Sequence, residues 1–371
     1  MVQQVDARAD QDYQEAILVY VSRTFALTIP QLPRGLREAV TTAYLLCRIA
    51  DTIEDEPSLG APDKQRFLRR FSSVVSGAAD ADQLAGELTS RLSNRTSEHE
   101  RDLVAHLARV VRSAHRLQGS EQAAIQRCIE IMCTGMHYFQ SNANTRGLNR
   151  LVDLDSYCYH VAGVVGEMLT ELFCARSPEV QGRAAALRHL SPSFGQGLQM
   201  TNILKDMWED RSRGACWLPL EVFERRGINL DQLLNRRHEQ AFRDSMQELI
   251  GIAHGHLRNA LEFTLLIPAE ESGIRRFCLW SIGLAVLTLR EIHNNPHFMS
   301  GAQVKVSHRA VWMVTTVCKL CVQSDRALTQ LFNWAARGLP LVEQTSAGGA
   351  ETLRVPLLLE QESNASSLLH S

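Results

Sequence analysis

The sequence predicts an all-α protein, a single bundle of helices layered around a central cavity. Three observations carry that reading. Apolar residues recur with helical spacing over residues 101–117 and 121–140, and no stretch shows the sustained alternation of a half-buried strand. The 371 residues are 45 % apolar and 22 % charged, enough to bury the core of one large domain or two of ordinary size. The spelling D-x-x-E-D occurs twice on helical stretches, at residues 51–55 and 206–210, as two acidic rims of one cavity would require.

The first residues include Asp6, Asp10 and Asp12 and hold no apolar run, so no signal peptide is expected. Residues 16–25 read as a helix entering Ser22-Arg23-Thr24-Phe25. An Arg beside a Ser at a cavity suits bidentate phosphate binding; a solvated charge is the plainer alternative. Pro30 and Pro33 break that helix. The next helix, 36–55, ends before Pro57, and its run 43–50 is too apolar for a solvated face. Its terminal carboxylates therefore belong to a cavity. Tyr44 and Arg48, seven and three residues ahead of Asp51, share their face.

Residues 58–98 turn polar and small and read as peripheral helices and loops without chemistry. His106, His115 and His137 lie on the following helices and read as packing. The helix over 154–173 carries Gly163 and Gly166, each costing roughly 1 kcal/mol relative to Ala. A surface left bare at that cost serves either an apolar ligand chain or close helix packing.

In the stretch 196–219, Asn202, Asp206, Glu209 and Asp210 fall at i, i+4, i+7 and i+8, one stripe of a helix. Like charges so placed repel by a few tenths of a kcal/mol per pair. A lone motif of this kind is most often a solvated face. Its echo at the end of a core-facing helix favours a metal–diphosphate site, and hard oxygen donors without His or Cys suit Mg²⁺.

Helices resume to about residue 266 and again over 273–293. The longest apolar run, 279–289, lies between Arg276 and Arg290 and is too short to span a bilayer. Nine scattered cysteines predict buried thiols in a reducing compartment, with Cys318 and Cys321 on one helical face. The last helix ends near Trp334, and the S-A-G-G-A and E-S-N-A-S-S stretches predict a disordered tail. The division expected is a domain over 1–340 and a tail over 341–371. A net charge of −2 gives no reason to expect nucleic acid.

Several of these stretches resemble one family, in its order. Ser22-Arg23-Thr24-Phe25, the run from Tyr44 to Asp55, the run from Tyr157 to Gly166 and Asn202-Ile203-Leu204-Lys205-Asp206 are similar to the motifs of the squalene/phytoene synthases, head-to-head prenyl transferases. The signatures cover roughly residues 20–310 and look nearer to the squalene synthases within the family.

The resemblance implies an isoprenoid-synthase-like bundle around a hydrophobic cavity. It implies two farnesyl diphosphates joined through presqualene diphosphate to squalene, with Mg²⁺ and NADPH. Asp51, Asp55, Asn202, Asp206 and Asp210 are then metal ligands, with Glu54 and Glu209 as supporting ones. Ser22, Arg23, Arg48, Lys205, Arg211 and Arg213 become donors to diphosphate oxygens. Tyr157 matches the family's tyrosine for proton removal or cation stabilisation, Tyr44 and Arg48 take places in the cavity, and Phe277 and Trp280 form its wall. Lys305 and Arg309 correspond to the region that some squalene synthases use for NADPH phosphates, although Ser307 stands at its second basic position. The alternative is a dehydrosqualene or phytoene synthase, which ends in proton loss. A helical assembly factor without catalysis is disfavoured by two intact acidic motifs. No transmembrane segment is expected; the protein is expected in the cytoplasm, touching a membrane at most peripherally for product release.

Overall fold

Many of the helices start where the sequence supplies a cap. Asp80 accepts from Gln83 N, Ser97 and Glu100 form a reciprocal capping box, and Ser177, Ser307 and Ser324 each accept a backbone N–H from their helix's first turn. The computed structural model describes residues 2–141, 145–236 and 239–344. Among them the order is α1 Val2–Val21, α2 Phe25–Thr28, α3 Arg34–Asp55, α4 Ala61–Val75, α5 Ala81–Arg91, α6 Glu98–Ala105, α7 Leu107–His115, α8 Gly119–Ser141 and α9 Leu151–Cys158. A π-helical turn over Tyr159–Gly163 then leads into α10 Val164–Arg176, followed by α11 Pro178–Gln181, α12 Ala184–Ser212, α13 Leu220–Glu224 and α14 Leu233–Arg236. The chain continues through α15 Gln240–Leu266, α16 Ser272–Asn294, a 3₁₀ turn Gly301–Val304, α17 His308–Cys321 and α18 Asp325–Ala335. No strand forms among the described residues, where Leu148 and Pro219 make an isolated bridge. The all-α expectation holds.

α12 is the central post. It packs on α10, the π turn, α15 and α16, while α3 packs on α1, α7, α8 and α10. The cavity lies where the faces of α3, α10, α12 and α16 meet. Close packing, not ligand room alone, explains the bare helix: a Cβ at Gly166 would lie 1.9 Å from the Ser191 carbonyl oxygen. From the other side, a Cβ at Gly195 would lie 1.8 Å from the Ala162 oxygen. The backbones of α10 and α12 touch there. The π turn inserts its extra residue at this contact, a feature frequent at functional sites.

Three sequence readings shift. The first helix spans Val2–Val21 and stops at Ser22, so the Ser22–Thr24 corner is a break between helices. The pattern over 101–117 divides at His106 into α6 and α7. α16 is long and apolar enough to cross a bilayer by length and composition, although its longest uncharged run is short. Over half of that window, 56 %, is buried inside the bundle, where Phe277, Val286 and Leu289 are core residues.

All nine cysteines are free thiols, and only Cys321 is more than slightly accessible. Residues 341–344, placed in the tail by composition, lie along α15: Val342 N donates to Gly251 O at 3.0 Å, and Asn259 Nδ2 donates to Gln344 O at 3.2 Å. From residue 345 onward the expected tail lies outside the described residues.

Candidate active site

Helical phase brings the two acidic motifs to one cavity of about 1030 Å³, at the upper end for small-molecule sites. From α3 come Tyr44, Arg48, Asp51, Glu54 and Asp55; from α12 come Asn202, Lys205, Asp206, Glu209 and Asp210, followed by Arg213. The Ser22–Phe25 corner, Tyr157, Phe277 and Lys305 line the same space. Its remaining wall is largely apolar, with Leu169, Leu198 and Leu284 among it.

The electrostatics of the α3 rim are unfavourable without a cation. Asp51 lines the cleft with 39 % of its side chain exposed, and desolvation there raises its carboxyl to about 7 against the pull of Arg48. Glu54 is 6 % exposed and pushed up to about 8 by burial and by Asp55, although Gln140 Nε2 donates to its Oε1 at 3.1 Å. Burial raises Asp55 too. Arg48 is the nearest cation, at 3.9 Å from Asp51, but its guanidinium is already engaged by Glu100.

On α12, Lys205 lies 3.0 Å from Asp206 and Arg213 lies 3.5 Å from Asp210. Burial still lifts Asp210 to about 6, with Asp206 and Asp55 adding to the rise. Asp55 and Asp210 thus border one cavity from opposite helices. Glu209 accepts from Gly301 N at 2.8 Å through Oε1, and its Oε2 is buried without a partner.

The carboxylates, an amide and an orphaned buried oxygen fit Mg²⁺ rather than a soft metal. Among the described residues no three acidic, His or Cys side chains form a preformed cage for an ion. Such a site suits magnesium, which binds through one or two carboxylates and completes its shell with water and phosphate oxygens.

Tyr157 is 5 % exposed and stacks on Trp217 at 4.1 Å with rings 7° from parallel, while Phe139 meets its edge. Burial and the Glu54 and Asp55 charges push its hydroxyl well above the ordinary tyrosine value, so it stays protonated. Tyr44 donates to Val21 O at 3.1 Å and packs on Phe25, which in turn meets Phe277. Ser22 Oγ accepts from Phe25 N at 2.9 Å, fixing the corner that presents the exposed Arg23.

Some expected site residues are placed elsewhere. Arg211 spans from Thr145 O to Asp231 O, at 3.1 and 3.2 Å, and does not line the cavity. Trp280 is core, not cavity wall, and Arg309 lies on the outer surface while Lys305 and His308 face inward. Other neighbours were not foreseen. Lys64 comes from the stretch read as peripheral, Glu100 from just beyond it, and Gly301 sits where a Cβ would be 2.6 Å from Asp206 Oδ1. Ser97 and Glu100 have the spacing of a capping box, a helix-start signal, but nothing local links Glu100 to Arg48.

A family model described as squalene/phytoene synthase matches residues 18–310. The chain belongs to the squalene/phytoene synthase family. It is 29 % identical over 313 residues to a squalene synthase of Candida albicans, which covers 83 % of this chain and 66 % of that protein. The chain thus spans just under two thirds of that relative's length. A solved ligand complex of TcSQS superposes with a TM-score of 0.74 at 25 % identity, covering 96 % of this chain and 99 % of that one. A dehydrosqualene synthase complex superposes with a TM-score of 0.65 at 22 % identity, covering 86 % and 98 %, a likeness of fold alone. The squalene/phytoene synthase motifs are thus the ones that meet at the cavity, and the bundle has the isoprenoid-synthase fold.

Proposed function

We propose that the protein condenses two farnesyl diphosphates head to head, through presqualene diphosphate, to squalene. The observation that carries this is the convergence of both acidic motifs on one cavity whose deeper wall is apolar. Asp51, Asp55, Asn202, Asp206 and Asp210 would hold Mg²⁺, which when bound neutralises the diphosphate as it leaves. Lys205, Arg213, Arg48 and Arg23 are placed to hold diphosphate oxygens by charge-assisted hydrogen bonds.

When the C–O bond of the first farnesyl diphosphate breaks, both electrons leave with the diphosphate. The allylic cation must then be hidden from water until the double bond of the second molecule attacks it. Leu169, Leu198 and Phe277 exclude that water. Phe277 and Phe25 also offer aromatic faces to positive charge. Closing the cyclopropane releases a proton. Because Tyr157 stays protonated, it serves as a donor and relay toward the diphosphate rather than as a phenolate base.

The reductive ending rests on Lys305 and His308, which face the cavity beside Gly301. Lys305 and His308 fit the phosphates of NADPH, which when bound supplies hydride; Arg309, on the outer surface, does not join them. Product analysis tests this ending. Squalene is expected with NADPH, and dehydrosqualene-type hydrocarbons or alcohols without it. Lys305→Ala should raise the NADPH concentration needed while sparing presqualene diphosphate formation. Identical product mixtures with and without NADPH would replace this reading with the non-reductive synthase.

A further inference from the structure

α17 carries an outer face that the cavity chemistry leaves unused. Arg309, Trp312, Met313, Thr316, Lys319 and Leu320 recur at i, i+3, i+4, i+7, i+10 and i+11, one stripe of the helix. Trp312 is 69 % exposed, Leu320 80 % and Met313 38 %, an unusual concentration of bare apolar side chains. The opposite face anchors the helix: Cys318 is buried, and Val314 fills the place where a Cβ on Gly283 of α16 would sit. The exposed stripe is therefore held rigidly outward.

Its charge is one-sided. No Asp or Glu occurs between Glu291 and Asp325, while Lys305, Arg309 and Lys319 do. A protein partner with a basic groove would be repelled, and a nucleic acid would not call for Trp312, Met313 and Leu320. An apolar stripe flanked by cations and free of acids matches the interface of an anionic bilayer, with apolar groups among the acyl chains and cations at the phosphates. The stripe also adjoins the cavity, because His308 and Val311 line it one turn away. An apolar molecule leaving there would emerge beside the lipid.

We propose that α17 docks the protein on an anionic lipid surface, with Trp312, Met313 and Leu320 entering the interface and Arg309 and Lys319 on headgroup phosphates. This surface reading does not depend on the reaction assigned to the cavity.

Vesicle flotation of the full chain tests it, using phosphatidylcholine alone and phosphatidylcholine with a third phosphatidylglycerol. The wild type should float with the anionic vesicles, with Trp emission shifted to the blue. Trp312→Ser combined with Leu320→Ser should lower binding by about tenfold or more, and Lys319→Gln by about fivefold on anionic vesicles alone. Turnover of detergent-dispersed substrate should be unchanged in all of them, which also reports that they fold. A wild type that floats with neither vesicle, or variants that float as well as it does, would overturn the proposal. So would a wild-type dimer in sedimentation that Trp312→Ser dissociates without any vesicle binding, since a second copy would then cover the face.

Discussion

The two D-x-x-E-D motifs are spelled alike but are held differently. On α3 the motif is embedded: Glu54 is buried and pinned by Gln140, and the nearest cation, Arg48, is already committed to Glu100. On α12 the motif brings its own counterions, Lys205 and Arg213, and a loop closes over it through Gly301. In both, the Glu is bonded into the fold while the flanking Asp residues face the cleft. The contrast teaches that one spelling is anchored in two ways, each Glu being bonded to a different neighbour, Gln140 on one rim and Gly301 on the other. Burial also lifts the α3 carboxyls further, Asp51 to about 7 and Glu54 to about 8 against about 6 for Asp210, although Lys64 and Arg213 pull against the rise at Asp55.

The largest effect should come from removing one aspartate from either rim. Asp51→Asn and Asp206→Asn should each lower turnover on farnesyl diphosphate by roughly 10³-fold or more, through lost metal-assisted ionisation. The melting temperature should stay level or rise, because like-charge repulsion is relieved. If either variant keeps more than a tenth of the wild-type rate at saturating Mg²⁺, that rim is not part of the metal site.

Tyr157→Phe deletes a hydroxyl and leaves the stack on Trp217 intact. Single-turnover formation of presqualene diphosphate should slow by about 10²-fold. An unchanged rate would leave Tyr157 as packing. A smaller effect is expected at the α12 clamp, where Gly301→Ala places a methyl group against Asp206. The Mg²⁺ concentration for half-maximal rate should rise about tenfold, the usual cost of disturbing a ligand's support. Asp51→Asn should not be worsened in stability by that change, as the α3 rim is untouched.

The smallest effect is on stability against pH. Between pH 6.5 and 8 the native state keeps protons on Asp51 and Glu54, raised to about 7 and 8, that the unfolded chain has already lost. The folded state thus binds more protons, and stability of the metal-free protein should fall as pH rises through this window. Urea unfolding at the two ends checks the sign, and Asp51→Asn should flatten the slope. The buried His160 and His254, held below their ordinary value, act only at lower pH.

Much of the site was legible because its signals are local. The spacing of Asn202, Asp206 and Asp210 fixes a helical stripe whatever the fold, and the apolar run before Asp51 says which way that helix end faces. What escaped was long-range. Arg211 follows Asp210 directly, yet two backbone carbonyls from distant loops draw it away from the cavity. Trp280 lies one turn beyond Phe277 on α16, yet only Phe277 borders the cavity while Trp280 is spent on core packing. The division of labour between Gly166 and Gly195 needed both helices, because each glycine answers a carbonyl on the other. The clamp of Gly301 on Glu209 joins residues far apart in sequence, and no local pattern announces such a contact.

The central claim is that the two rims work as one unit, and a double variant tests it most directly. Diphosphate release from farnesyl diphosphate should be measured for Asp51→Asn, Asp206→Asn and the two combined, at saturating Mg²⁺. Groups that act together lose little more when both are removed than when one is. The account predicts three rates equal within a few fold. A combined loss equal to the product of the two single losses would mean that the rims act independently and contradict it.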